Sequence, residues 1–378
     1  MAARTLSGAL VTMTLAMTTA CGNNPAAPLV PPPGFPQPRI PADNPLSPAK
    51  IELGRHLFYD QRLSGNQTQA CASCHKQSLA FTDGLPVGVG STGQPHIRGA
   101  MSLANVAYAA TLTWANPTVS ALEKQALVPM FGETPVELGL LGMETVLLGR
   151  LSADSQYPML FAAAYPAEAS PISLDSVTKA LASFERSLLS GRSPYDRYVT
   201  DNDDSAISDS AKRGKDLFFG ERLECFHCHG GFAFSDAVVD ANTTLDETSY
   251  QNNGLYNIGG DGSYPAGNQG IYEFTQLSSD KGRFRAPTLR NIALTAPYMH
   301  DGSLATLDDV LNHYSRGGTL TPSGPNAGDG KSNPNKSLFI RGFTLTDGER
   351  QDVLEFLRSL TDTDFINNPQ FSDPANRP

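Results

Sequence analysis

The sequence predicts a mainly α-helical chain of two similar domains connected by long irregular loops. Three observations lead there. Apolar residues recur at helical spacing in several segments, and no segment sustains the alternation of a strand. One supersecondary unit occurs twice. Stretches such as 252–270 and 317–336 are rich in Gly, Asn, Pro and Ser and read as loops.

From the N-terminus, residues 1–21 read as an export signal. Arg4 gives a minimal positive start, and Leu6 to Ala20 is apolar or small and uncharged. The stretch is too short and too Thr-rich for a membrane span. It ends Thr18-Thr19-Ala20-Cys21-Gly22, the pattern of a lipoprotein processing site with Cys21 lipidated, except that Thr18 stands where Leu is usual. Lipid tethering and simple cleavage into the periplasm both stay open. Residues 22–45 continue as a Pro-rich tether; ten prolines fall between positions 25 and 48. The two domains are expected at 46–200 and 201–365, with a tail at 366–378. A formal net charge of −10 argues against nucleic acid or an anionic membrane surface as the main partner.

The duplication is direct. Residues 54–63 read GRHLFYDQRL and residues 214–223 read GKDLFFGERL, so Gly54/Gly214, Leu57/Leu217, Phe58/Phe218 and Arg62/Arg222 coincide at an offset of 160. A Cys-x-x-Cys-His unit follows in each copy, at Cys71-Cys74-His75 and Cys225-Cys228-His229, and the first copy has six extra residues before its cysteine. Ala80-Phe81-Thr82-Asp83 then answers Ala233-Phe234-Ser235-Asp236. Each copy opens with a helix: Ser47 caps with Pro48 at the first helical position, and Ser208 or Ser210 caps the second. Leu174, Val177, Leu181, Phe184 and Leu188 mark a helix between the copies. Thr346 and Glu349 form a capping box ahead of Val353, Leu354, Phe356, Leu357 and Leu360.

Four of the five cysteines sit in the two Cys-x-x-Cys-His units. In that spacing two thiols can add across the vinyl groups of a haem while the adjacent His reaches the iron. A zinc site would ask for a second ligand pair nearby, and a redox dithiol does not require the His. The reading is therefore two covalently attached c-type haems, bound through Cys71, Cys74 and His75 and through Cys225, Cys228 and His229. Whether such a protein carries electrons or reacts with peroxide turns on whether one iron keeps an open position.

The stretch FRAPTLRNIALTAPYMHDGSLATLDDVLNHY, residues 284–314, closely resembles the bacterial di-haem cytochrome c peroxidase/MauG superfamily. So does Gly99 to Glu137, with MSLANVAY, a Trp and LEKQALVP, and the resemblance runs over most of residues 46–362. It implies that the domain at 46–200 holds the haem that meets hydrogen peroxide, with His75 as its proximal ligand, and that the haem of His229 stores or relays an electron. The second haem's distal ligand is implied fourteen residues past His300, at Tyr314. Classical peroxidases of the family have Met there and MauG-like enzymes have Tyr. A phenolate is hard and anionic and favours oxidised iron, whereas a thioether favours ferrous iron. Met299 and His313 are the competitors; His313 would point about 100° from Tyr314 on the helix.

The resemblance also places Trp114, the single tryptophan, between the haems as a relay, against a plain packing role. Gln125 and Pro129 match the family's distal Gln and Pro, and Glu137 best matches its catalytic Glu, with Glu133 as competitor. Such an acid moves a proton between peroxide oxygens. His96 reads either as a distal group or, by preference, as an exposed loop histidine. Calcium between the haems is implied through the carbonyls of Thr295 and Pro297, although Gly99 stands where the family has an Asn ligand.

The runs VGSTGQPHIRGAMSLANVAY, LTWANP and FGETPVELGL look most like the MbnH-type branch. That resemblance implies a high-valent di-haem state that oxidises a tryptophan to kynurenine on a periplasmic copper-binding protein. The alternatives are a cytochrome c peroxidase that detoxifies hydrogen peroxide and a non-enzymatic di-haem electron carrier.

Overall fold

The computed structural model describes residues 29–245 and 248–376. The export signal, Cys21 and the start of the tether lie outside the described residues; from residue 29 on, the expected tether is instead packed on the body, with Phe35 against Tyr108 and Phe232 and the Tyr108 hydroxyl donating to the Pro36 carbonyl at 2.7 Å. The fold is mainly α-helical, and among the described residues no helix is long and apolar enough to cross a membrane. The strands are two short antiparallel pairs, Tyr250–Gln251 with Phe284–Arg285 and Leu320–Thr321 with Gly328–Asp329.

The expected helices form with the expected caps. Pro48–Tyr59 starts where the Ser47 hydroxyl accepts from the Lys50 amide. Leu174–Ser187 is capped by Ser173, Asp209–Phe218 by Ser208, and Asp347–Arg358 by Thr346 in a capping box with Glu349. Ser210, the other candidate cap, instead donates to Asp352 at 2.6 Å. Leu307–Arg316 begins at Thr306, which forms a capping box with Asp309, and ends at Gly317 in the left-handed region.

In each copy the opening helix crosses a later one at a glycine. A Cβ on Gly54 would lie 1.9 Å from the Ala180 carbonyl oxygen and 2.9 Å from the Phe184 Cβ; on Gly214 it would lie 1.9 Å from the Asp352 oxygen and 2.9 Å from the Phe356 Cβ. The repeated glycines of the sequence are thus the two points where backbones touch. Beside each crossing sits a buried aromatic triad, Phe58, Phe81 and Phe184 in one half and Phe218, Phe234 and Phe356 in the other. Burying each ring contributes about 1.5–3 kcal/mol.

The cores are separate, one around Phe58 and Phe184 and one around Phe218 and Phe356. The C-terminal segment departs from the expected division at 365. Phe365 and Phe371 belong to the first core, the Tyr59 hydroxyl donates to the Phe371 carbonyl at 2.7 Å, and Arg55 donates to the Ser372 carbonyl at 2.8 Å. The chain therefore closes back on the half it began with. A buried polar network joins the halves: Asp362 Oδ2 accepts from Ser190 Oγ and the Gly191 and Arg192 amides, Asn291 donates to Ser190, and Arg290 pairs with Asp196 at 2.9 Å. The long loops at 252–270 and 317–336 are fixed by asparagines, with Asn257 donating to the Asp329 carbonyl and Asn333 to that of Tyr256.

Replacing Gly214 by Ala should destabilise the protein by about 1–3 kcal/mol, because backbone and not a flexible side chain must give way. Calorimetry should show a lower melting temperature; an unchanged one would mean that the crossing is looser than this contact requires.

Candidate functional site

Each Cys-x-x-Cys-His unit opens onto its own cavity, of about 300 Å³ in the first half and about 360 Å³ in the second. Both histidines are fixed by one device. His75 Nδ1 donates to the Phe81 carbonyl at 2.8 Å and His229 Nδ1 to that of Phe234 at 3.1 Å, with both phenylalanines in the left-handed region. This explains the repeated Ala-Phe-Thr/Ser-Asp run. It also selects the tautomer whose lone pair is on Nε2, the arrangement of a metal-ligating histidine. Burial holds both imidazoles below their ordinary range, so they are neutral.

Neither alternative chemistry suits these units. Among the described residues the one group of three or more metal-ligating side chains is Glu221, Glu224 and His227, so neither Cys-Cys-His unit assembles as a zinc site. A redox dithiol needs a depressed thiol pKa, yet burial pushes Cys74 up to about 11 and Cys225 and Cys228 to about 12. Covalent haem attachment asks only that the thiols face an apolar cavity beside a neutral histidine. A further observation fits a haem. Arg285 is buried at the border of the second cavity, where its guanidinium donates to the Thr113 carbonyl and Met101 Sδ, each at 3.2 Å. Burial lowers it to about 10, and among the described residues no carboxylate lies at ion-pair distance from it. A buried cation needs an anion, and haem brings two propionates.

The cavities differ in their polar walls. The first is lined by Gln125, Pro129 and Glu137, and Glu133 is not on its wall. Burial raises Glu137 to about 7. His96 also lines this cavity, with Nε2 at 3.6 Å from Glu137 Oε1, and burial lowers its pKa. The exposed-loop reading of His96 is therefore corrected: Gly88 accepts its amide proton and folds the loop inward over the cavity. A glutamate that sequence patterning passed over, Glu185, lines the same cavity from the Leu174–Ser187 helix.

The second cavity holds Tyr314 with Cys225, Cys228 and His229. Burial raises the Tyr314 phenol far above its usual value, and a hydrogen bond with the Asn253 side chain works the other way. Asn253 Nδ2 also donates to Met299 Sδ at 3.2 Å, which puts that sulfur on the same wall. His313 is turned away and is engaged with Thr319 Oγ1 at 2.7 Å. Sequence reasoning missed Asn253, whose only signal is its place in a loop.

Trp114 borders both cavities and the hollow of about 110 Å³ between them. Its Nε1 donates to the Gly99 carbonyl at 2.9 Å, and its ring meets His300 edge-on at 6.5 Å. Thr295, Pro297 and Gly99 line the hollow, together with Asp83, whose Oδ2 has no hydrogen-bond partner. That carboxylate is the kind of hard donor calcium uses.

The family described as "Di-haem cytochrome c peroxidase" matches residues 48–204. The methylamine utilization protein MauG of Methylorubrum extorquens is 34% identical over 323 residues, 85% of this chain and 80% of that one. The cytochrome c551 peroxidase of Pseudomonas aeruginosa is 30% identical over 281 residues, 74% of this chain and 76% of that one. A solved MauG-like protein associated with microbial copper homeostasis superposes with a TM-score of 0.89 at 48% identity, covering 91% of this chain and 98% of that one. The diheme peroxidase BthA of Burkholderia thailandensis shares the fold, with a TM-score of 0.66 at 20% identity over 92% of this chain and 97% of that one.

If Glu137 takes a proton from peroxide, the protein's reaction with peroxide should speed up as pH rises through about 7, where the carboxyl ionises. Glu137→Gln should slow it by about 10²–10⁴-fold at pH 8 and remove that pH limb. Stopped-flow absorbance of the haem bands measures both; an unaltered rate in the variant would exclude Glu137 as the base.

Proposed function

Since this chain belongs to the di-haem cytochrome c peroxidase and MauG family and is a peroxide-dependent di-haem oxidoreductase, we propose that it uses hydrogen peroxide to oxidise an aromatic side chain on another protein, converting tryptophan to kynurenine on a periplasmic copper-binding partner. The observation that carries this reading is Tyr314. An oxygen donor, not a methionine sulfur at the same helical position, faces the cavity of Cys225, Cys228 and His229. Without a cation beside it burial keeps Tyr314 a phenol; a ferric ion supplies the charge that favours the phenolate. A hard anionic donor suits a centre that holds oxidising equivalents.

Two covalently bound haems supply the iron redox chemistry, and this chain's residues do the rest. His75 and His229 would be the proximal ligands, each held by its carbonyl. Glu137 would take the proton of bound peroxide and return it to the departing oxygen, with Gln125 and His96 beside it. Trp114, bordering both cavities, would pass an electron between the halves while Gly99 holds its indole N–H. Calcium, held by the Thr295 and Pro297 carbonyls with Asp83 nearby, would fix the hollow around that indole. Residues 46–200 would then form the peroxide-reacting domain and 201–365 the storing one, in a protein exported to the periplasm and either released there or anchored by a lipid on Cys21. The copper-binding partner is suggested by the MauG-like neighbour associated with copper homeostasis.

A conventional cytochrome c peroxidase is the second reading, and Met299 Sδ on the same cavity wall is the observation that favours it. An electron carrier is disfavoured because the first cavity is lined by a carboxyl that burial raises to about 7, suited to moving protons, and a carrier has no use for such a group there.

Incubation of the holoenzyme with peroxide and a periplasmic copper-binding protein of the same organism, followed by mass spectrometry, should reveal a tryptophan converted to kynurenine. An unchanged partner mass would remove the substrate proposal. Tyr314→Phe should abolish both the product and the long-lived spectral change that peroxide induces, while Met299→Leu should keep both. The reverse pattern would support the peroxidase reading.

A further inference from the structure

The duplication allows each residue of one half to be compared with its counterpart in the other. In the crossing helices Phe184 corresponds to Phe356, Arg186 to Arg358 and Leu188 to Leu360. Glu185 then corresponds to Leu357, and both residues line the haem cavity of their own half. A carboxyl stands where the same fold otherwise places an apolar side chain.

Glu185 is only 6% exposed, and its Oε2 has no hydrogen-bond partner. The cation nearby is engaged elsewhere. Arg186 holds Glu123 through two hydrogen bonds of 2.6 and 2.9 Å. The other groups facing this region are Cys71, whose thiol both Glu185 and Glu137 push upward after burial has done most of it, and Glu137 itself.

The stoichiometry of peroxide reduction calls for such a group. Hydrogen peroxide, two electrons and two protons give two waters. Peroxide's own two protons account for one of the waters, one of them carried by Glu137, so Glu137 ends as it began. The second water takes two electrons from the partner and two protons from elsewhere.

We infer that Glu185 is a second acid of the first cavity, protonated at rest, which supplies a proton toward the second water as the partner's electrons arrive and is recharged from solvent. This rests on the first cavity being where peroxide reacts. The raised pKa of about 8, caused chiefly by burial, agrees with a carboxyl that is protonated at neutral pH.

The test uses the haem-loaded protein, Glu185→Gln and Glu185→Leu, the latter copying Leu357. Infrared spectra of the resting protein at pH 7 should contain a protonated-carboxyl C=O band that Glu185→Gln removes. Peroxide should still induce the haem spectral change in both variants. Its discharge by a small reductant should be slowed by about 10²-fold, the smaller end of the effect of losing a general acid. In the wild type, discharge should slow as pH rises through about 8, because the acid is present below that value and lost above it. Both variants should lack this limb and show a smaller solvent isotope effect. Wild-type discharge rates and pH dependence in Glu185→Gln would overturn the inference, as would a defect confined to Glu185→Leu, which marks a packing role. Absence of any peroxide-induced spectral change in the wild type would instead sink the functional reading on which this one stands.

Discussion

In both halves the histidine after the second cysteine gives its Nδ1 proton to a main-chain carbonyl a few residues on, and that carbonyl is aimed by a phenylalanine in the left-handed region. A phenylalanine rarely adopts this conformation, because the Cβ then crowds the backbone. It persists here because the same ring is locked into the buried triad beside the helix crossing. Imidazole orientation, ring packing and helix approach are therefore one mechanical unit. A glycine at each crossing lets the helices come close enough for that unit to close.

On this shared scaffold the two cavities have diverged in what they offer a reacting group. Beside the Gln125 amide, the first presents three titratable groups, Glu137, His96 and Glu185, which burial holds near neutrality or uncharged. These are groups that move protons. The second presents a phenol and a thioether bridged by Asn253, over an apolar wall of leucines and phenylalanines. These are donors to a metal. The division of labour between the halves is one of electrostatics and donor type within the same helices.

The proposed passage of an electron between the halves would depend on rigidity. Trp114 is held by its indole N–H and by the His300 ring, which itself stacks on Phe284 at 3.8 Å. The Asp196–Arg290 pair and the Asp362 hydrogen bonds fix the relative position of the two cores. Such buried polar networks cost desolvation, and when fully satisfied they admit few alternative packings. A fixed separation matters because electron transfer falls off steeply with distance.

The sequence by itself determined the helices, their caps, the duplication and the two Cys-x-x-Cys-His units. All of these follow from local rules: a capping side chain reaches an amide three residues away, and a Cys-x-x-Cys-His run carries its geometry within five residues. Resemblance to a known family extended this to Tyr314, Trp114, Gln125 and Glu137. The tertiary structure decided what no local rule contains. It brought His96 onto Glu137 from a loop that read as exposed and chose Ser208 over Ser210 as a cap. It turned His313 toward Thr319 and set Asn253 between Tyr314 and Met299. It returned Phe365 and Phe371 to the first core and left Glu185 without a counter-ion. The physical reason is the same in each case. Burial and charge pairing are set by residues tens to hundreds of positions apart, so a side chain's solvation, and with it its pKa and its chemistry, exists only once the chain has closed.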